Sequence, residues 1–162
     1  MKPIRTRALA ALGALLVLGA VNLSIVGKER IRSGGEIVYL PLAPVDPRSL
    51  LQGDYMALRF ALVQDLERDS ATGAVREGAT RRVPVVLDER HIARLAAGES
   101  AATLALRYRI RHGHVWLGTN GFFFEEGSAE RFSGARYGEF RVDRASGEAV
   151  LVGLRDAALK PL

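Results

Sequence analysis

Three groups of residues have the types and spacing to do chemistry. Gly53-Asp54-Tyr55 sets a carboxylate between a residue that tolerates positive φ and an aromatic that opens an alternating stretch. An Asp at such a junction can accept hydrogen bonds from the backbone just beyond it and serve only the turn. The alternative makes Asp54 an exposed carboxylate at the end of a sheet. His112 and His114 flank Gly113. On one strand they would share a face and could pair on a metal, yet zinc sites need three or four ligands, and a polar hairpin tip explains the pair equally well. His91 stands alone and belongs on the surface. Asp54, Glu126 and Glu130 could supply a carboxylate pair for acid–base work, as many pairs could in a chain with 18 acidic residues.

Other chemistries find no support. The chain has no Gly-x-Ser-x-Gly elbow, P-loop or dinucleotide fingerprint. With no cysteine, disulfides, thiolate zinc sites and thiol catalysis are excluded together. No cofactor is called for. The net charge of +5 suggests nucleic acid until it is divided. Setting aside Lys2, Arg5 and Arg7 leaves 20 basic residues against 18 acidic ones, interspersed along the chain. The densest basic run, Arg107, Arg109 and Arg111, alternates along an expected strand and reads as its solvated face. A nucleic-acid binder concentrates its basic residues on one face, so nucleic acid is not an expected partner. Arginine outnumbers lysine 20 to 3 in an Ala- and Gly-rich chain, a bias of GC-rich coding.

The elements that would position these residues begin with an anchor. Ala8 to Gly27 carries no charge, and only Asn22 and Ser24 are polar. Twenty helical residues at about 1.5 Å each span about 30 Å, the thickness of a bilayer's hydrocarbon core. Three basic residues precede the stretch, as expected for an end that stays in the cytoplasm. Lys28, Arg30 and Arg32 put charge on the far side too, but a seven-residue tail is easiest to leave inside. A cleaved signal peptide needs a shorter apolar core and a small-x-small site, and Val21-Asn22-Leu23-Ser24 offers none. Ala20 and Ser24 have the spacing of close helix contacts.

Residues 1–27 are thus the basic tail and transmembrane anchor, 28–35 a connector, and 36–162 a β-rich domain. Glu36 to Leu42 reads as a strand that Pro41 and Pro44 place at an edge or cut short. Asp46-Pro47 starts a turn or short helical turn with Leu50-Leu51 inward. Tyr55 to Leu62 alternates, with Met56, Leu58, Phe60 and Leu62 inside and Arg59 outside. Gln64 to Arg82 turns polar and is expected to be a long loop or exposed hairpin. Val83 to Leu87 is a strand interrupted by Pro84, and Asp88 caps a short helix to Ala97, closed by Gly98. Thr103 to Arg111, His114 to Gly118 and Gly121 to Phe124 follow as strands, with Phe122-Phe123-Phe124 expected to be fully buried. Ser128 to Phe132 makes a helical turn. Arg144-Ala145-Ser146-Gly147 turns a hairpin between Tyr137 to Val142 and Glu148 to Leu154. The fold class is mainly β (α+β): a single transmembrane helix, then one small sheet, sandwich or open barrel of about seven strands.

Gly53-Asp54-Tyr55-Met56-Ala57-Leu58-Arg59-Phe60 resembles the signature of the GDYXXLXY domain family of bacterial membrane-anchored proteins. Ala43 to Leu50 resembles its lead-in. Phe123-Phe124-Glu125-Glu126-Gly127 is similar to its aromatic-aromatic-x-Glu-Gly stretch, and Gly147 to Gly153 to its closing hairpin. The resemblance covers most of residues 36 to 155. One departure matters: the family's last Tyr is Phe60 here, so no chemistry can need a phenol there. The resemblance implies a single-span bacterial protein of the inner membrane without established activity, encoded beside multi-span membrane proteins, which suggests a membrane partner. Gly53-Asp54 is also similar to the Gly-Asp of signal peptidases, but those place a Ser eight residues earlier, where this chain has Val45.

Two functions from different classes follow. The favoured one is a non-enzymatic anchored module, its domain on the periplasmic or extracytoplasmic side, docking onto an integral membrane protein. Gly53, Asp54, Tyr55, Leu58, Phe60, Glu126 and Gly127 are its candidate binding residues. The runner-up is a small extracytoplasmic hydrolase or ligand-binding domain using Asp54 and Glu126. Convergence of those two carboxylates in one concave pocket would separate the readings. The sequence does not set a homo-oligomeric state.

Overall fold

A computed structural model describes residues 2–43, 51–52, 55–70, 78–112 and 114–162. Helix α1 (Lys2–Gly34) runs 33 residues without a break, through the apolar stretch and the polar connector beyond it. From Leu9 to Val26 its large apolar side chains are exposed: Leu15 and Leu23 are 69% and 75% exposed, and none of the most apolar window is buried. A helix in the core of a soluble domain would bury at least one face.

Gly35 alone separates α1 from β1 (Glu36–Pro41). Its N–H donates to the Ile31 carbonyl at 2.8 Å. A Cβ at this position would lie 2.5 Å from that carbonyl oxygen and 2.9 Å from the Val142 nitrogen. Helix end and sheet therefore approach too closely for any side chain.

The rest of the chain follows as β2 (Leu51–Gln52), β3 (Tyr55–Ala57), α2 (Ala61–Ser70), β4 (Thr80–Leu87), β5 (Ala93–Leu95), a 3-10 turn (Glu99–Ala101), β6 (Leu104–Arg111), β7 (His114–Trp116), β8 (Gly121–Phe123), α3 (Ala129–Phe132), β9 (Tyr137–Val142) and β10 (Ala149–Arg155). The strands form three sheets, ordered β1-β9-β10, β2-β3-β8 and β5-β4-β6-β7, and every strand pairing is antiparallel. The domain is mainly β, as expected. Of the ten strands among the described residues, five are three residues or shorter. β1 lies at the edge of its sheet, where Pro41 costs no ladder bond. Pro84 is tolerated inside β4 because its carbonyl, and with it the missing N–H, faces Ala96, just past the end of β5.

One core joins the sheets. Val38 and Leu40 of β1, Leu106 of β6, Leu117, and Phe140 of β9 are completely buried within it. The Tyr39 N–H donates to the His91 carbonyl at 2.9 Å, linking β1 to the segment entering β5. The β9–β10 hairpin docks on β6 through Gly147, whose carbonyl accepts the Arg107 N–H at 2.7 Å. Gly147 has φ +72°, and a Cβ there would lie 2.5 Å from the Ala105 carbonyl oxygen. Asp143 closes the turn by accepting the Ser146 N–H at 2.7 Å. Hydrogen bonds from Ser146 hold its carboxyl below the ordinary value.

Four expectations need correction. The described residues of Gln64 to Arg82 are not one long loop or hairpin: α2 occupies the start, with Leu66 buried beside Leu62, and β4 the end. The helix expected from Asp88 to Ala97 is a turn followed by β5. Asp88 Oδ1 accepts the N–H groups of Arg90 and Ile92, each at 2.9 Å, which holds the chain in the turn. β3 stops at Ala57, so Leu62 packs from a helix although the burial alternation from Tyr55 to Leu62 holds. The Phe triplet is not fully buried, since Phe123 on β8 is 78% exposed. The Asp46-Pro47 turn lies outside the described residues.

Candidate functional site

The signature segment runs from β3 into α2 with alternate side chains in the core. Gly53 and Asp54 lie outside the described residues. Tyr55 is half-buried and faces Phe123 of β8 in register, ring centroids 5.7 Å apart. Two of the four stretches that carry the family resemblance, far apart in sequence, thus meet where β3 pairs with β8. Leu58 is buried, and its N–H donates to the Asn120 carbonyl at 2.7 Å. Phe60 is 1% exposed and meets Phe140 edge-on at 5.3 Å. A Cβ on Gly138 would lie 2.9 Å from the Phe60 ring, so that glycine makes the room the ring occupies. Sequence reasoning did not single out Gly138, because only the packed ring reveals the need.

Glu126 is exposed in the turn between β8 and α3, and Gly127 beside it takes φ +81°. That turn is shaped by aromatic packing: Phe122 and Phe124 each lie 5.2 Å from the ring of Phe132 on α3. His112 takes φ +52° after β6 and His114 opens β7, so the two occupy the tip of a hairpin. Among the described residues, no group of three or more His, Asp or Glu could hold a metal ion.

A cleft of about 360 Å³ opens along the outer side of the signature. Leu58, Arg59 and Phe60 form one wall, Gln64 and Glu67 of α2 another, and His114 and Asn120 complete it. Glu67 fixes the geometry: its Oε1 accepts the Val115 N–H at 3.1 Å and lies 3.4 Å from His114 Nδ1. Helix and hairpin are thereby tied across the opening. Neither Gln64 nor Glu67 was a sequence candidate. The signal was present in Leu62, Val63 and Leu66, whose three- and four-residue spacing gives a helix one apolar face and leaves Gln64 and Glu67 beside it. Glu126 is not among the residues lining this cleft.

A second feature missed in the sequence is a buried ion pair. Glu139, 6% exposed, receives Arg155 Nε at 2.5 Å and also contacts its Nη2. It pins β10 to β9 beside the register shift between Leu151 and Gly153. In period-2 terms Glu139 points away from the core, so nothing in the pattern marks it as covered.

Among known proteins, no curated protein matches the chain, and neither does any solved structure. A family model described as GDYXXLXY protein matches residues 17–154, from within the apolar stretch to the last residues of β10. With most of its length matched, the chain belongs to the GDYXXLXY protein family.

Proposed function

We infer that the protein is a single-pass module of a bacterial inner membrane, with its β domain on the extracytoplasmic side, that docks onto an integral membrane protein and performs no reaction of its own. The observation that carries this reading is α1. Its apolar wall is exposed along its whole length, yet one glycine joins it to a well-packed domain. In water such a wall would be an aggregation surface. In hydrocarbon it is at home, because a helix satisfies its own backbone. Lys2, Arg5 and Arg7 ahead of the span favour an N-terminus that stays inside.

The cleft along the signature is the docking surface. It presents Arg59, Gln64 and Asn120 beside the edges of Leu58 and Phe60, a mixture suited to a partner's loop. Its one ionisable pair, Glu67 with His114, has no hydroxyl or thiol among the lining residues to activate. That favours binding over nucleophilic hydrolysis.

A photocrosslinking residue placed at Arg59 or Gln64 of the full chain in native membranes tests the surface. Both positions should give the same adduct with one integral membrane protein, while the exposed turn residue Glu89 gives none. Adducts indistinguishable between Glu89 and the cleft positions would sink the docking surface, as would their absence at Arg59 and Gln64.

A further inference from the structure

Where α1 leaves its apolar stretch, it meets the outward face of the β6–β7 hairpin. Together they enclose a cleft of about 400 Å³ lined by Ser24, Lys28, Arg107, Arg109, Arg111 and Trp116, with Glu148. The row of arginines is a consequence of the strand period. β6 turns Leu104, Leu106, Tyr108 and Ile110 into the core, so Arg107, Arg109 and Arg111 share the other face at about 7 Å intervals. Trp116 pairs with Arg109 in register, and the Arg111 guanidinium lies 5.5 Å from the Trp116 ring centroid, within cation–π range.

The charges do not balance. Glu148 is the carboxylate among the lining residues, and both its oxygens are taken: Oε2 by Arg107 at 2.5 Å, Oε1 by Lys28. Arg109 and Arg111 have no carboxylate partner among the described residues. Four cations around one anion repel one another unless a further anion enters. Guanidinium groups present planar forks that match phosphate oxygens two at a time.

The position of the cleft names the anion's source. Ser24 belongs to the apolar stretch and Lys28 stands one turn further along the same helix face. The link through Gly35, where Arg141 Nη1 donates to the Gly35 carbonyl at 3.2 Å, fixes that helix to the sheet. Lys28 also borders a neighbouring hollow that includes Phe122 and the exposed Phe123. Cations interleaved with exposed aromatic rings at the end of an apolar helix are the composition of a membrane interface. We propose that this cleft binds the phosphate of an anionic phospholipid from the bilayer that α1 crosses, with Arg109 and Arg111 on the phosphate and Trp116 at headgroup level. The proposal rests on the anchor reading above.

Trp116 is the sole tryptophan of the chain, so its fluorescence in the full-length protein, held in a neutral detergent, reports on this cleft. Dihexanoyl phosphatidylglycerol should produce a saturable change at a mole fraction at least tenfold below that of dihexanoyl phosphatidylcholine. Arg109→Gln should raise the midpoint at least tenfold while the melting temperature stays put. An equal response to the two lipids, or an unmoved midpoint in Arg109→Gln, would overturn the site. Inorganic phosphate saturating the signal at the lipid's concentration would overturn the lipid as the source. Alkaline carbonate extraction of native membranes tests the anchor separately. Protein that stays in the membrane but fails the titration defeats only the headgroup site, and protein that is extracted yet still titrates defeats the anchor.

Discussion

The ring of Phe60 sits between Phe140 and the bare backbone of Gly138, with 1% of its surface in water. Removing it would leave a void that neighbours on several elements cannot close, and Leu58 is nearly as well buried. Truncating a buried Leu or Phe to Ala costs about 2–5 kcal/mol, a large share of a stability of about 5–15 kcal/mol. Leu58→Ala and Phe60→Ala should therefore sharply lower the denaturation midpoint of the full-length protein. Arg59→Ala should change stability by less than about 0.5 kcal/mol, because its side chain is exposed. Phe60→Tyr would restore the residue of the family signature. Where so little of the ring meets water, a hydroxyl without a partner costs about 1–3 kcal/mol. If Arg59→Ala proved the most damaging of these changes, the inward and outward assignment of the signature would be wrong.

At the scale of elements, the long strands were legible and the pieces between them were not, for definable reasons. β6 alternates strictly enough that its buried face follows from period two alone, whereas β9 also covers Glu139 and β10 shifts register between Leu151 and Gly153. α2 was lost because a helix with one narrow apolar stripe looks like a loop once its polar residues dominate the window. The cleft's second wall went unread with it. Asp88 misled for a different reason. An Asp accepting backbone N–H groups a few residues ahead is equally the start of a helix and a self-contained turn, and only the N–H of Ile92, four residues on, decides for the turn. The hairpin turn at Arg144 to Gly147 was legible as a turn, but its second role was not. Gly147 is where two sheets touch, backbone against backbone. Gly147→Ala should therefore cost more than the loss of a favourable turn residue, since positive φ and a 2.5 Å approach to the Ala105 oxygen oppose the same methyl group. Thermal melting should show a drop well beyond that of Gly134→Ala, where a Cβ meets nothing. Equal drops would mean that the hairpin does not dock on β6.

For the whole molecule, length and attachment decide how the domain stands on a membrane. α1 is about 50 Å long at about 1.5 Å per residue, whereas Ala8 to Gly27 fills about 30 Å of hydrocarbon. Lys28 to Gly34 continue the helix for about 10 Å, which in a bilayer around Ala8 to Gly27 would clear the acyl chains and bring β1 to the headgroups. A helix that enters its domain through one crowded glycine cannot swing freely, so a bilayer around α1 would meet the same face of the β domain in every copy. Charge alone orients the span poorly, because Lys28, Arg30 and Arg32 counter the three basic residues of the tail. The orientation proposed above, with the β domain outside, therefore needs a direct test. The chain contains no cysteine, so Ala157→Cys on the exposed C-terminal segment creates a unique thiol. In intact cells this thiol should react with a membrane-impermeant maleimide, and the labelled chain should retain its full 17.6 kDa. Labelling that required lysis would reverse the orientation and leave the anchor in place. A labelled chain shortened to begin near Ser24 would remove the anchor, and with it the lipid source proposed for the arginine row of β6.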